Sequence, residues 1–225
     1  MSQIQYLTQD EFTRKTKELE GGHWTPKSIA DRWDYHSRVV ELIKSLQIDD
    51  ARKILEMGTM GITCVHGGDT IDYEERWGFP GKSPTIVHDA RKLPWPIADK
   101  QYELFIALRV FQHLVPVQRE CVREALRIAK RMILVVPSTY DNKHPDLASS
   151  LGIPYQDMVS FCDGRHPNVY LPTAMGNLYY YDATNPSNLN IEAVMAPSLV
   201  KNTPVAPAPP HHTGIKNKLL SLLKG

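Results

Sequence analysis

Between residues 51 and 137 short apolar runs, KILEM, DTIDY, TIVHD, YELFIAL and MILVV, alternate with polar or helical stretches. Strands buried on both faces of a parallel sheet read this way, because neither side of the strand meets water. Between YELFIAL and MILVV lies VPVQRECVREALRIAKR, in which Val117, Cys121, Ala125 (or Val122) and Ile128 mark one face of a crossover helix. The repeated order of strand, loop, helix and strand predicts an open, mostly parallel α/β sheet with helices on both faces. Ligands are then expected outside the carboxyl ends of the strands.

Two helices are predicted ahead of this body, in a helical cap over residues 1–50. Thr8-Gln9-Asp10-Glu11 matches a capping box, with Thr8 as N-cap and Glu11 reaching back, and the helix is expected to run to about Glu20 before Gly21-Gly22. Thr25-Pro26 restarts a helix to about Leu46, burying Ile29, Trp33, Val40 and Ile43 and leaving Lys27, Asp31, Arg38 and Lys44 to solvent. After Pro137, YLPTAMGNLYYYDAT and NIEAVMA predict two strands joined through Asn185-Pro186-Ser187-Asn188. The α/β domain thus covers 51–196. Residues 197–214, rich in proline, predict an extended linker, and IKNKLLSLLKG at 215–225 a small basic amphipathic helix. That helix suits an anionic membrane surface, a partner's groove, or its own domain.

Charge narrows the partners. Lys and Arg total 26 against 25 Asp and Glu, so the net charge of +1 supplies no general field for nucleic acid. The start, MSQIQYLTQDEF, is acidic where a signal peptide is apolar, and no run approaches the ~18 apolar residues of a membrane span; a cytoplasmic protein is expected. Cys64, Cys121 and Cys162 have no paired spacing, which points to buried free thiols.

The stretch KILEMGTMGITCV carries the chemistry. With DTIDY, HDARKLPWPIADKQYELFIALRVFQHL and EALRIAKRMILVVP it resembles, over about eighty-five residues from Lys53 to Pro137, a class I S-adenosylmethionine-dependent methyltransferase of the type 11 kind. The resemblance implies a Rossmann-like methyltransferase fold and S-adenosyl-L-methionine as cofactor. It implies that the Gly58-Thr59-Met60-Gly61 turn approaches the cofactor through its backbone, and that Glu56 meets the ammonium group, directly or through water. Asp72, with Tyr73 beside it, is expected at the ribose hydroxyls, Asp89 and Ala90 at the adenine, and Leu108 and Arg109 beside the methionine part.

Three departures stand out. Met60 and Ile62 replace the family's second and third loop glycines. Only seven residues, ITCVHGG, separate Gly61 from Asp69, where a parallel crossover normally takes about a dozen, so the first helix is a turn or absent. Glu103 stands where aspartate is usual. Subgroups with such a shortened crossover occur in sugar and surface-polysaccharide pathways, hence an expected small-molecule or sugar-containing acceptor.

Methyl transfer is an in-line displacement, and the protein mainly holds the acceptor and excludes water. His113, directly after the fourth strand, is the candidate base; capping or packing of the helix near Pro116 is its alternative. Asp141 and His144, with Tyr140, are further acceptor-site candidates in the loop after the fifth strand. Asp141, His144 and Asp146, or Asp163 with His166, lack diagnostic metal spacing, and no metal is expected. His23, Trp24 and Tyr35 suit an aromatic lid or ordinary helix packing. Two other functions compete: a degenerate methyltransferase fold kept as a non-catalytic scaffold, and a nicotinamide dehydrogenase, ranked low because no G-x-G-x-x-G is present.

Overall fold

The computed structural model describes residues 4–18, 25–73, 83–138 and 151–185. All of these belong to one unit, Met1–Glu192. Strands β1 (Ile54–Met57), β2 (Asp69–Asp72), β3 (Ile86–Val87), β4 (Tyr102–Leu108), β5 (Ala129–Val136), β6 (Val169–Thr173) and β7 (Gly176–Asp182) form one sheet in the order β3-β2-β1-β4-β5-β7-β6. β1 to β5 are parallel, and β7 runs antiparallel to both β5 and β6.

Alternation along the strands decides which layer each residue joins. Leu104, Ile106, Ile133, Val135, Leu178 and Tyr180 face helices α1 (Gln9–Lys17) and α2 (Pro26–Ser45), packing with Phe12, Val39 and Ile43. Phe105, Ala107, Met132, Leu134, Tyr179 and Tyr181 face α3 (Gln118–Ile128) and α4 (Tyr155–Phe161), packing with Cys121, Val122, Ala125 and Met158. Burying each large apolar side chain is worth about 1.5–3 kcal/mol, so the two layers rather than local propensity hold the helices. The three thiols are free and buried.

Several local expectations are corrected. Thr8 Oγ1 does accept the Glu11 N–H at 3.2 Å, but the Glu11 carboxylate, rather than reaching back, binds Lys15 and His66, each at 2.8 Å. The crossover helix begins at Gln118 and stops at Ile128, because Ala129 and Arg131 already pair with β4 and extend β5 beyond MILVV. YLPTAMGNLYYYDAT, expected as one strand, holds most of a hairpin: β6, from Val169, turns at Ala174-Met175 into β7, while the expected turn from Pro186 to Asn188 lies outside the described residues. Asp34 Oδ2 accepts the Ala174 N–H at 2.9 Å and Arg109 donates to the Met175 carbonyl, so distant residues fix this turn. Gly176, φ +149°, starts β7 where an added Cβ would lie 2.6 Å from the Val136 oxygen. The segment NIEAVMA, the linker at 197–214 and the helix at 215–225 fall outside the described residues.

No helix separates β1 from β2, as the short spacing anticipated. Ile62, Cys64 and Val65 instead pack on the α1/α2 layer, and the chain pairs with the amino-terminal segment: Leu7 N–H donates to Cys64 at 3.0 Å and His66 N–H to Gln5 at 2.9 Å. The other layer is closed at the 90–99 strap, where buried Trp95 donates through Nε1 to the Ala90 carbonyl at 2.9 Å. Arg127 ties that strap down through the Trp95 and Ile97 carbonyls and Asp99. Among the described residues no helix is long and apolar enough to cross a membrane.

Candidate active site

The strand order reverses between β1 and β4, which opens a crevice at their carboxyl ends. Gly58 closes β1 there. Its N–H continues the ladder to the Ile71 carbonyl at 3.0 Å, and its φ of +64° is a conformation that suits glycine. A Cβ on Gly58 would come within 2.5 Å of Val110 Cγ2, so the missing side chain is what admits Val110 as the apolar floor between the two strand ends.

Thr59-Met60-Gly61-Ile62 then forms a tight turn. Ile62 N–H donates to the Thr59 carbonyl at 2.9 Å, and Met60 and Gly61 take φ of 51° and 83°. Gly61 N–H is spent on Thr59 Oγ1 at 3.2 Å. Beneath the turn, Glu56 is 2% exposed, and its two carboxylate oxygens accept the N–H groups of Cys64 at 2.8 Å and Val65 at 2.9 Å. Burial pushes the Glu56 carboxyl up to about 7 against these hydrogen bonds. Glu56 therefore anchors the return of its own loop.

Asp72 ends β2 half-buried, with Oδ1 accepting the Tyr73 N–H at 2.8 Å, and Tyr73 beside it is 42% exposed. Asp72 pairs in register with Val87, and its carbonyl accepts the His88 N–H at 2.8 Å, which brings the Asp89 loop next to it. Asp89 binds Arg91 through both oxygens at 3.0 Å, and those hydrogen bonds hold its carboxyl below the usual range. Ala90 is buried, and its carbonyl faces inward to Trp95 and Cys121.

On the β4 side, Leu108 is half-buried and Arg109 takes φ 63° as the chain turns away from the sheet. Arg109 N–H donates to the Val135 carbonyl at 2.7 Å. His113 sits in a single 3₁₀ turn, Phe111–His113. Its Nε2 lies 3.1 Å from the Gln112 side-chain amide nitrogen, which donates to it when the ring proton is on Nδ1. Gln112 is 2% exposed; its amide also donates to the Arg109 carbonyl at 2.7 Å, and its Oε1 is buried with no hydrogen-bond partner.

Gly58, Thr59, Met60, Gly61, Asp72, Tyr73, Asp89, Leu108 and Arg109 thus all lie at the carboxyl edge, on the ends of β1, β2 and β4 or just beyond β3. Glu56 lies one turn of chain behind them. Asp141, His144 and Tyr140, with His23 and Trp24 of the lid, lie outside the described residues. Tyr35 is a core residue, 1% exposed and stacked on His36. Asp163 is bound by Arg123 and His166 by the Tyr155 hydroxyl. Among the described residues no group of three or more His, Cys, Asp or Glu is disposed to hold a metal ion. Val110, Gln112 and Arg91 were not legible as site residues, since their place depends on contacts across strands.

Gly58 and Asp72 fit the nucleoside half of a sulfonium cofactor: a strand end without Cβ, beside a carboxylate at the tip of the adjacent strand, with Asp89 in the loop beyond β3. The amino-acid half differs, because Glu56 and the Gly61 amide are already engaged within the loop.

No protein-family model and no curated protein sequence matches the chain. Among solved structures it is similar to an S-adenosylmethionine-dependent methyltransferase of Aquifex aeolicus, with 13% identity and TM-score 0.47 over 74% of this chain and 96% of that one. It is similar to another from Thermotoga maritima, with 13% identity and TM-score 0.44 over 72% and 80%. A protein of Bacillus halodurans inferred to be a methyltransferase shares 17% identity and TM-score 0.44 over 56% and 67%. Likeness of this degree says nothing of substrate or activity. By its own strand order, with parallel β3-β2-β1-β4-β5 continued by an antiparallel hairpin, the chain has the Rossmann-like fold of class I S-adenosylmethionine-dependent methyltransferases.

Proposed function

We propose that the protein is an S-adenosylmethionine-dependent methyltransferase acting on an oxygen or nitrogen of a small molecule or sugar-containing intermediate. The observation that carries this reading is the placing of left-handed Gly58, Asp72 and Asp89 at or just beyond the carboxyl ends of the parallel strands β1, β2 and β3, beside the crevice where the strand order reverses. S-adenosylmethionine, when bound, supplies an electrophilic methyl group for in-line displacement.

The chain's own residues bind and orient. Asp72 accepts hydrogen bonds from the ribose hydroxyls, as acids do at the second strand of dinucleotide folds. Asp89 and the exposed Tyr73 flank the base, and Val110 with Leu108 excludes water near the reacting carbon. With its lone pair on Nε2, His113 accepts a proton from an acceptor hydroxyl only by giving up the Gln112 amide. Asp141 and His144, outside the described residues, remain acceptor-side candidates by their place in the sequence after β5.

Calorimetry with S-adenosylhomocysteine tests the reading: saturable heat from the protein, weakened about ten-fold or more by Asp72→Ala, supports it. Absence of heat at high ligand concentration counts against it. A second reading, a non-catalytic scaffold on this fold, is favoured by the closed Gly61 amide and the withdrawn Glu56. Mass spectrometry that finds cofactor bound but no methylated product across hydroxyl and amine acceptors distinguishes the two.

A further inference from the structure

The loop that follows β1 lacks the crossover helix that would fix it from behind, and α1 stands in that place. Lys15 Nζ reaches the Gly61 carbonyl at 3.4 Å while paired to Glu11 at 2.8 Å, with their side chains only 14% and 17% exposed. The second oxygen of Glu11 holds His66 Nε2 at 2.8 Å. Glu11 thus joins both ends of the loop, Gly61 through Lys15 and His66 directly, across 46 to 55 residues of sequence. The Lys15–Glu11 pair is mostly withdrawn from water and so is not a surface pair of the ordinary weak kind, while His66 is a third exposed. The backbone repeats the connection, with Tyr6 bridged to Val65. Phe12, fully buried against Trp33 and His36, fixes the helix that carries Glu11 and Lys15.

We infer that Lys15 and Glu11 are positioning residues for the Thr59–Ile62 turn, so that the ligand-facing backbone after β1 is set by α1 rather than by a crossover helix. This inference rests on the proposed function only for the identity of the ligand; the coupling itself concerns the free protein. It also gives the short crossover a physical explanation. A seven-residue return has no helix of its own to pack on the sheet, and the amino-terminal helix supplies the missing support.

The test separates the two claims. Peptide-level hydrogen exchange is measured on the full chain for Lys15→Met, Lys15→Arg and, as the same chemical change on the exposed side of the helix, Lys17→Met. The expected result is about ten-fold faster exchange over residues 58–66 in Lys15→Met, with β4 unchanged and Lys15→Arg and Lys17→Met close to the parent. S-adenosylhomocysteine affinity is expected to fall about ten-fold in Lys15→Met and to recover in Lys15→Arg. Equal exchange over 58–66 in Lys15→Met and the parent overturns the inference, whatever the ligand does. A parent protein that binds no S-adenosylhomocysteine overturns the proposed function, and the exchange result still decides the coupling. Should Lys15→Met not fold, Glu11→Gln is read in the same way: it leaves the Phe12 packing intact and weakens both arms of the clasp.

Discussion

Glu56→Gln is the most informative single substitution, because shape is nearly conserved while charge is removed from a fully buried site. Two effects oppose each other at Glu56. Accepting the Cys64 and Val65 amides favours the carboxylate, and loss of water favours the neutral acid; burial is the larger, placing the folded pKa at about 7. The unfolded carboxyl titrates at the ordinary value of 4.5, so the folded state holds the extra proton between those limits. Stability contributed by Glu56 is therefore complete below about pH 4.5 and is lost as pH rises to about 7, a change on the order of 3 kcal/mol. His36 works in the opposite sense. It is buried, with Nδ1 2.8 Å from the Arg32 carbonyl, and burial lowers its pKa from 6.5 to about 4. The unfolded histidine binds its proton first, so stability falls as pH drops from about 6.5 to about 4, again by on the order of 3 kcal/mol. The two slopes nearly cancel in the parent, and each becomes visible only when the other is removed. Urea denaturation from pH 4.5 to 8 is expected to show a shallow parent profile; Glu56→Gln, whose oxygen accepts one of the two amides while its NH2 faces the other, gains stability relative to the parent by on the order of 3 kcal/mol as pH rises across that range. A parent-minus-variant difference that does not change with pH refutes the reasoning. It would mean that the two amide hydrogen bonds offset desolvation.

Gly58→Ala meets both a left-handed φ and Val110 Cγ2 at 2.5 Å, and is expected to cost about 2–4 kcal/mol in chemical denaturation; Val110→Ala in the same chain recovers the steric part but not the backbone part. Arg127→Met removes the cation that binds the Trp95 and Ile97 carbonyls and Asp99, so a loss of about 2–3 kcal/mol is expected, with faster hydrogen exchange over 95–99 while α3 keeps its protection. Trp95→Phe keeps the ring against Phe105 but leaves the Ala90 carbonyl without its indole donor; a drop of about 1–2 kcal/mol in denaturation is expected.

What was legible in the sequence is what short-range patterning encodes. KILEM and YELFIAL announced themselves because both faces of β1 and β4 are buried, and Thr25-Pro26 marked the start of α2 because a threonine cap followed by proline suits a helix's first turn. The crossover lacking a helix followed from counting residues. Other features were illegible for one physical reason: their partners are remote. The hairpin turn at Ala174-Met175 contains no classical turn residue, and Asp34, 140 residues away, holds it instead. Glu56 read as a ligand contact from its place at the end of β1, yet the amides it binds belong to a return loop whose path no periodicity reveals. Helix α4 escaped notice because seven residues with two buried side chains, Met158 and Val159, give too short a pattern.

The central claim is that the crevice between β1 and β4 receives an adenosyl ligand. A crystal structure of the protein grown with S-adenosylhomocysteine tests it most directly. The account predicts ligand density over Gly58, with the ribose hydroxyls within hydrogen-bonding distance of the Asp72 carboxylate and the base beside Asp89. Density for the ligand at another place, or a crevice in which Val110 and its neighbours leave no room for a nucleoside while Asp72 faces solvent, contradicts it.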